Sequence, residues 1–293
     1  MTARRISFVN FKGGVGKTSL SVNIAATLAN ELGQKVLIID CDPQSNSSVW
    51  LMNVHPWLQL KRDSTVLALF DKDQPPLHTI IQKDIVKSPD GRIRIKNLDL
   101  IPATYELMEV DERDSNSKKP FYLAFYEAIA NFQSQYDFII YDCPPGLTKV
   151  CQSAIFASDE IFVPANPDEL SRIGLDFLNK KLLEMEAKTK RETDLLPGYS
   201  FPVVRGIIYN AVNRTAKNDA IDYINQKVES LKKTSPMFDK NSKVFSVSIS
   251  QAVALPKAIS AFSPITLDKA GKVKDEYTTL SQYILGMKKL KRK

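Results

Sequence analysis

The chain of 293 residues contains no apolar run approaching the ~18 residues that a membrane-spanning helix requires. Its first ten residues include basic side chains but too short an apolar stretch for a secretory signal peptide. Cysteine is scarce: there are three, Cys41, Cys143 and Cys151, an odd number without the spacing of a metal site. Such thiols are typical of a reducing compartment, so we expect a cytoplasmic protein that is neither a disulfide scaffold nor a zinc ribbon.

The composition is that of an ordinary globular protein, with 43% hydrophobic and 25% charged residues. No repeat or clear linker divides the chain, so we expect a single domain over residues 1–287, followed by a basic tail over residues 288–293. Five of those six residues are basic, and without them 35 basic residues face 33 acidic ones. A run of this kind either binds phosphate-rich surfaces or is a solvated terminus.

Short apolar segments alternate with helical patterns along the chain, and this rhythm is typical of a parallel sheet flanked by helices. Several segments are rich in Ile, Val and Phe without alternation, as expected for strands that are covered on both faces. The first helix is predicted over Thr18–Leu32, with Gly33 as its stop. The predicted strands are Arg4–Asn10, Val36–Asp40, Leu98–Pro102, Phe138–Asp142, Glu160–Pro164, Val203–Tyr209 and Val244–Val247.

The segment Lys12–Thr18 reads KGGVGKT and lies between the first predicted strand and the first predicted helix. In that context glycines let backbone N–H groups surround phosphates, and the helix N-terminus adds a positive end. Lys17 is placed to reach the β- and γ-phosphates, and the Thr18 hydroxyl to bind Mg²⁺. The general pattern has glycine where this chain has Phe11, and a second lysine, Lys12, opens the loop. The expected nucleotide contacts are Lys12, Gly13, Gly14, Val15, Gly16, Lys17, Thr18 and Ser19.

Two acidic segments follow predicted strands. Asp40–Gln44 reads DCDPQ and places Asp40 and Asp42 at the carboxyl edge of the sheet, where ligands bind in open parallel sheets. Phe138–Asp142 is an apolar strand that ends in an aspartate, and such an aspartate can hold Mg²⁺. Together with the loop, these segments predict a site for ATP and Mg²⁺.

These three motifs resemble those of the ParA/MinD family of deviant-Walker ATPases, and most closely those of its ParA (Soj-like) partition branch. The matching segments are KGGVGKT at 12–18, DCDPQ at 40–44 and DCPP at 142–145. The resemblance implies an α/β P-loop NTPase fold with a mostly parallel twisted sheet and helices on both faces. It also implies a slow, partner-stimulated ATPase that forms a homodimer with ATP sandwiched between the subunits.

The resemblance also implies roles for single residues. Lys17 would bind phosphates in its own subunit, and Lys12, the family's signature lysine, would reach the nucleotide of the partner subunit. Asp42 would position or activate the attacking water, supported by Asp40. Asn210 resembles the family's adenine-contacting asparagine. The metal ligands implied are Thr18, Asp142 and Asp40.

Members of this branch bind DNA without sequence preference, and a ParB-like protein on the cargo triggers hydrolysis. We therefore expect nucleoid association. Gln251 and Ala254 stand where Soj-like relatives carry arginines, which shifts the expected DNA contacts to other basic residues. We expect no N-terminal helix-turn-helix, because the phosphate loop begins at residue 12. The candidate DNA contacts are Arg214, Lys217, Lys288, Lys289, Lys291, Arg292 and Lys293.

Three alternatives remain open. A MinD-like ATPase would place an amphipathic last helix over Tyr277–Lys293 on a lipid surface, although DCDPQ and DCPP favour the ParA branch. A ParA-like ATPase could position a protein assembly instead of a plasmid or chromosome. An iron–sulfur protein of the same fold would need bridging cysteines, and Cys41 and Cys143 are more simply interpreted as packing residues.

Overall fold

A computed structural model describes residues 2–88, 90–113, 120–166, 169–212, 218–252, 254–268 and 270–290. Seven strands form one sheet in the order β3-β2-β4-β1-β5-β6-β7, and every pairing is parallel. Their bounds are β1 Arg4–Phe8, β2 Val36–Asp40, β3 Leu98–Ile101, β4 Phe138–Asp142, β5 Glu160–Ala165, β6 Val203–Tyr209 and β7 Phe238–Val244.

Eleven α-helices connect or flank these strands in the described part of the chain. They are α1 Lys17–Asn30, α2 Asn46–Met52, α3 Val54–Leu58, α4 Leu77–Ile80, α5 Glu109–Glu112, α6 Leu123–Ala130, α7 Lys149–Ala157, α8 Glu169–Thr193, α9 Asn218–Thr234, α10 Ala254–Ser260 and α11 Lys272–Gly286. Short 3-10 turns occur at Arg62–Ser64, Val66–Phe70, Tyr105–Met108, Gln133–Gln135 and Ile265–Leu267.

The strands separate two hydrophobic cores. In β2, Leu37 and Ile39 enter the core formed with α6, α7 and α8, whereas Val36 and Ile38 enter the core formed with α1, α2 and α11. Successive side chains of a strand point to opposite faces, so a strand covered on both sides needs apolar residues at every position. The predicted α/β fold with helices on both faces is confirmed.

One predicted strand is misplaced, whereas the other six differ from the structure by at most two residues at an end. β7 covers Phe238–Val244 instead of Val244–Val247, and it lies at the edge of the sheet. Its central residues, Asp239, Lys240 and Asn241, are at least partly exposed, so the segment lacks the apolar run by which the inner strands were found. The stop at Gly33 is confirmed, since α1 ends at Asn30 and Gly33 has a φ of +65°.

The last helix, α11, packs its apolar side on the domain. Tyr277, Leu280 and Ile284 are fully buried in the same core as α1. Of the apolar residues that the MinD-like alternative would place on a lipid surface, Leu280 and Ile284 are therefore covered by the protein itself, whereas Tyr283 is 45% exposed. No helix in the described ranges is long and apolar enough to cross a membrane.

Candidate nucleotide-binding site

The loop between β1 and α1 lies at the carboxyl edge of the sheet and is shaped by Asn10. The Asn10 amide donates to the Pro164 carbonyl at 2.6 Å, and its Oδ1 accepts the Lys12 N–H at 2.9 Å. Phe11, which replaces the glycine of the general pattern, packs edge-on against Phe177 of α8 at 4.7 Å between ring centroids. The start of the loop is thus fixed by side chains that the motif does not contain.

The loop opens toward solvent above Gly13 and Gly14. A Cβ added at either residue would meet no atom within 4 Å. The first hydrogen bond of α1 joins the Leu20 N–H to the Gly16 carbonyl at 2.9 Å, so the N–H groups before Leu20 have no partner within the helix. N–H groups without a helical partner, beside the open space at Gly13 and Gly14, form a cradle that suits phosphate oxygens.

Lys17 is the first residue of α1 and folds back into the loop. The residue is 7% exposed, and its ammonium donates to the Lys12 carbonyl at 3.1 Å. Burial lowers the pKa of Lys17, while the carboxylates of Asp142 and Asp42 act in the opposite direction. The ammonium therefore lies among loop atoms and near two acidic groups, and its role in binding phosphates stays a prediction.

Asp142 ends β4 beside the first turn of α1 and is fully buried. Its Oδ1 accepts from the Ser21 hydroxyl at 3.1 Å, and Thr18 also hydrogen bonds to this carboxyl. Its Oδ2 has no hydrogen-bond partner although it is buried. Burial raises the pKa of Asp142, and the neighbouring Asp40 raises it further.

Asp40 pairs in register with Asp142 on the adjacent strand and is also fully buried. Its Oδ1 accepts the Asp42 N–H at 3.1 Å, while its Oδ2 accepts the backbone N–H of Ser48 at 2.9 Å and the Ser48 hydroxyl at 2.6 Å. Burial raises the pKa of Asp40, and these hydrogen bonds oppose the effect. Asp42, 7% exposed, accepts the Gln44 N–H at 2.9 Å.

Mg²⁺ fits this set of residues. A buried carboxylate oxygen without a partner, Asp142 Oδ2, lies on a carboxyl that also hydrogen bonds to Thr18. Mg²⁺ in nucleotide sites is held by one or two carboxylates together with substrate phosphates, so a larger cluster of ligands is not required. Asp40 contributes negative charge next to it but already accepts three hydrogen bonds.

Asn210 follows β6 and meets the phosphate loop. Its Nδ2 donates to the Val15 carbonyl at 3.1 Å, and a Cβ on Gly16 would come within 1.9 Å of that nitrogen. Gly16 has a φ of +85°, which favours glycine independently of this contact. The Asn210 Oδ1 is buried and has no hydrogen-bond partner in the described part of the chain.

Three residues of this site were not identified from the sequence: Asn10, Ser21 and Ser48. Ser21 lies four residues after Lys17 on the same helix, so helical spacing alone could have indicated it. Asn10 and Ser48 act through hydrogen bonds that no spacing rule marks.

The candidate DNA contacts are only partly described. Arg214, Lys217, Lys291, Arg292 and Lys293 lie outside the described residues. Lys288 and Lys289 lie at the opposite edge of the sheet from the loop, where the Lys289 ammonium donates to the carbonyls of Thr2 and Ala3, the latter at 3.0 Å. Neither residue contacts the nucleotide site.

The three cysteines are all buried, and none forms a disulfide. Burial raises the pKa of Cys41 to about 11, and the pKa of Cys143 and Cys151 is raised as well. Within the described ranges, no group of three or more His, Cys, Asp or Glu residues is arranged to hold a metal ion. These thiols pack in the core behind the nucleotide site.

A protein-family model described as an AAA domain matches residues 3–195. Named relatives include the sporulation initiation inhibitor protein Soj of Bacillus subtilis, 33% identical over 175 residues, which are 59% of this chain and 62% of Soj. The virulence plasmid ParA family protein pGP5-D of Chlamydia trachomatis is 34% identical over 200 residues, 66% of this chain and 67% of that protein. The chain belongs to the AAA domain family and is a ParA/MinD-type member of it.

A further relative, the cell division protein PomZ of Myxococcus xanthus, is 32% identical over 215 residues, 73% of this chain and 60% of PomZ. The chain spans about 60% of the length of the pGP5-D of Chlamydia psittaci, Soj and PomZ.

Solved structures confirm the fold over nearly the whole chain. The ATP complex of McdA from Cyanothece has a TM-score of 0.71 at 20% identity and covers 99% of this chain and 98% of that one. The cell division ATPase MinD of Pyrococcus furiosus has a TM-score of 0.66 at 21% identity, with 97% and 98% covered. At these identities the similarity establishes the architecture of a P-loop ATPase.

Proposed function

We propose that this ParA/MinD-type protein binds and hydrolyses ATP with Mg²⁺. The observation that carries the proposal is the open N–H cradle at Gly13 and Gly14, with the Lys17 ammonium at its base and the unpartnered Asp142 Oδ2 beside it. Phosphoryl transfer needs charge neutralisation and alignment more than covalent help, and this arrangement supplies both. The bound Mg²⁺ would neutralise charge on the β- and γ-phosphates.

Each residue of the site has a role in this proposal. Lys17 holds the phosphates, and Thr18 and Asp142 hold the metal, with Asp40 supporting them. Asp42 orients the attacking water, since its carboxylate lies at the same edge of the sheet. The free Oδ1 of Asn210 accepts from the adenine amino group.

The active form is a homodimer with ATP sandwiched between its subunits, in which Lys12 reaches the nucleotide of the partner subunit. Dimer lifetime then follows nucleotide state, so slow hydrolysis acts as a timer. Lys12→Ala is expected to reduce both ATP-dependent dimerisation and hydrolysis, measured by light scattering and phosphate release. If both survive, the role of Lys12 across the dimer is wrong.

The proposed task is segregation or positioning of a plasmid or chromosome. The ATP-bound dimer binds nucleoid DNA without sequence preference, and a ParB-like adaptor on the cargo stimulates hydrolysis and release. The similarity to the chromosome-partitioning ATPase Soj of Treponema pallidum and to the virulence plasmid ParA family protein pGP5-D supports this proposal. The protein is then cytoplasmic and associated with the nucleoid, with Arg214, Lys217 and the basic tail as candidate contacts.

Positioning of a protein assembly is a second candidate, supported by the similarity to the cell division protein PomZ. A MinD-like lipid-binding role is less well supported, because Tyr277, Leu280 and Ile284 of α11 are already buried in the core. Flotation with anionic vesicles and ATP would separate the lipid-binding role from the other two.

The first experiment is binding to random-sequence DNA without nucleotide, with ADP and with ATP, for wild type, Lys17→Ala and Asp42→Ala. We expect binding that requires ATP, is lost in Lys17→Ala and persists in Asp42→Ala, since only the latter retains bound ATP without hydrolysing it. Absence of DNA binding in every state would contradict the DNA role and leave nucleotide binding to be tested by calorimetry. Removal of residues 288–293 without a change in DNA affinity would exclude the tail.

A further inference from the structure

Ser48 connects the acidic side of the site to the protein surface. Its hydroxyl donates to Asp40 Oδ2 at 2.6 Å and accepts the Ala103 N–H at 2.9 Å. The Ala103 carbonyl in turn accepts the Trp57 indole N–H at 2.9 Å. Three hydrogen bonds thus join a buried carboxylate of the site to an indole on α3.

The inner groups of this chain are closely confined. Asp40, Ser48 and Ala103 are each 0% exposed, whereas Trp57 is half-buried. A buried hydroxyl that both donates and accepts uses its single proton in one direction only, so its orientation is fixed by both neighbours. Any rotation of the Asp40 carboxyl must therefore stretch the Ser48 hydrogen bond or shift Ala103.

We infer that Ser48 is a positioning residue: it fixes the Asp40 carboxylate for MgATP hydrolysis and transmits the arrangement of the site to Ala103 and Trp57. The inference rests on the proposed ATPase function and adds a route by which nucleotide state reaches α3. Groups that orient a metal-site carboxylate typically contribute 10–100-fold to metal affinity or activity.

The chain provides a matched control one residue away. Ser47 is also 0% exposed and lies on α2, but its hydroxyl has no hydrogen-bond partner. Ser47→Ala and Ser48→Ala remove the same atom from the same buried helix, so a difference between them reports the Asp40–Ala103 connection. Ser48→Thr keeps the hydroxyl and serves as the conservative variant.

The first test measures steady-state ATP hydrolysis as a function of MgATP concentration for the wild type and the three serine variants. For Ser48→Ala we expect a rate at saturation reduced by about 10–100-fold with KM changed less than threefold, since Asp40 supports the reaction and Lys17 holds the nucleotide. Ser47→Ala should match wild type, and Ser48→Thr should recover most of the rate.

The second test uses indole fluorescence, because the chain has only Trp50 and Trp57. Trp50→Phe removes the buried indole, whose N–H has no partner, and leaves Trp57 as the sole reporter. MgATP should change the Trp57 emission in this background. The added Ser48→Ala substitution should abolish that change while calorimetry still detects MgATP binding, and added Ser47→Ala should retain it.

The outcomes separate the inference from the proposed function. If the wild type neither binds nor hydrolyses ATP, the proposed function is wrong and this inference falls with it. If the wild type hydrolyses ATP but Ser48→Ala equals Ser47→Ala in rate and in Trp57 emission, only the positioning role is wrong. A rate loss in Ser48→Ala that Ser48→Thr does not recover would also contradict it.

Discussion

The two ends of the sheet differ in whether their buried acidic residues form ion pairs. At the carboxyl end, Asp40 and Asp142 are fully buried, and neither forms an ion pair among the described residues. At the amino end, Glu160 of β5 is equally buried but lies 2.5 Å from Arg4 of β1 and 3.7 Å from Arg205 of β6. A buried carboxylate without a counterion is costly, and burial raises the pKa of both aspartates, so this end of the sheet suits the proposed bound cation.

The paired end has an architectural task. Arg4 also donates to the Ile284 carbonyl, and Arg205 donates to the Lys288 carbonyl at 3.1 Å. These bonds hold the end of α11 against the start of the central strands. Arginines that satisfy both a carboxylate and backbone carbonyls stabilise the fold, whereas the carboxylates of the other end lie at the proposed nucleotide site.

The largest loss of stability is expected when the ion pairs of Glu160, at the amino end of the sheet, are removed. Glu160→Ala leaves Arg4 buried without its counterion and leaves Arg205 with Asp239 alone, and should lower the free energy of unfolding by about 3–5 kcal/mol. Urea denaturation measures this loss, and Glu160→Gln, which keeps hydrogen-bond acceptance, should lose less. Equal stability of Glu160→Ala and wild type would show that the pairing does not hold the fold.

The next largest effect is a loss of ATP binding, expected from a substitution at the carboxyl end of the sheet. Lys17→Ala removes charged hydrogen bonds to phosphates and should weaken ATP binding by about 3 kcal/mol, roughly two orders of magnitude in Kd. The same variant should not be destabilised, since burial lowers the pKa of Lys17 and its charge is held at a cost. Calorimetry and denaturation check both statements, with the exposed Lys35→Ala as the control. Loss of stability without loss of binding would place Lys17 among the architectural residues.

Two glycines of the phosphate loop also separate an effect on stability from an effect on ATP binding. At Gly16, a Cβ would strike Asn210 and φ is +85°, so Gly16→Ala should cost about 2 kcal/mol of stability. At Gly13, a Cβ meets only open space, so Gly13→Ala should leave stability unchanged within a few tenths of a kcal/mol and weaken ATP binding. Thermal melting with and without MgATP distinguishes the two. If Gly13→Ala binds ATP normally, the open space is not the phosphate site.

The binding end was largely predictable from the sequence because its parts are local. The loop, its strand and its helix are contiguous, and Asp40 and Asp142 each end an apolar run that marks a buried strand. Parallel strands bring such ends to one edge, so order along the chain was enough to group them. Ser48 was not identified because its partners, Asp40 and Ala103, lie eight and 55 residues away along the chain. No repeat of a helix or a strand connects them.

The paired end was not predictable for a related reason. Arg4, Glu160 and Arg205 each stand near the start of a strand, where a charged residue is unremarkable in the sequence. They meet only because β1, β5 and β6 are adjacent, and strand order is a long-range property. Strand β7 was misplaced because an edge strand tolerates polar residues such as Asp239 and Lys240, which conceal it.

The smallest change in stability is expected when the charge of Asp142, at the end of the sheet without ion pairs, is removed. Burial raises the pKa of Asp142, so the folded apoprotein retains a proton that the unfolded chain releases, and stability falls as pH rises through the folded-state pKa. Asp142→Asn removes the charge and should therefore raise the free energy of unfolding of the apoprotein by about 1–2 kcal/mol, more at mildly alkaline than at mildly acidic pH.

The wild type should gain stability from Mg²⁺ with ATP, and the variant should gain much less, because the unpartnered Oδ2 is absent. Denaturation of both proteins at the two pH values, with and without Mg²⁺ and ATP, measures each difference. A variant that is less stable than wild type at alkaline pH would show that Asp142 holds the fold, as Glu160 does, and that the two ends of the sheet do not differ in kind.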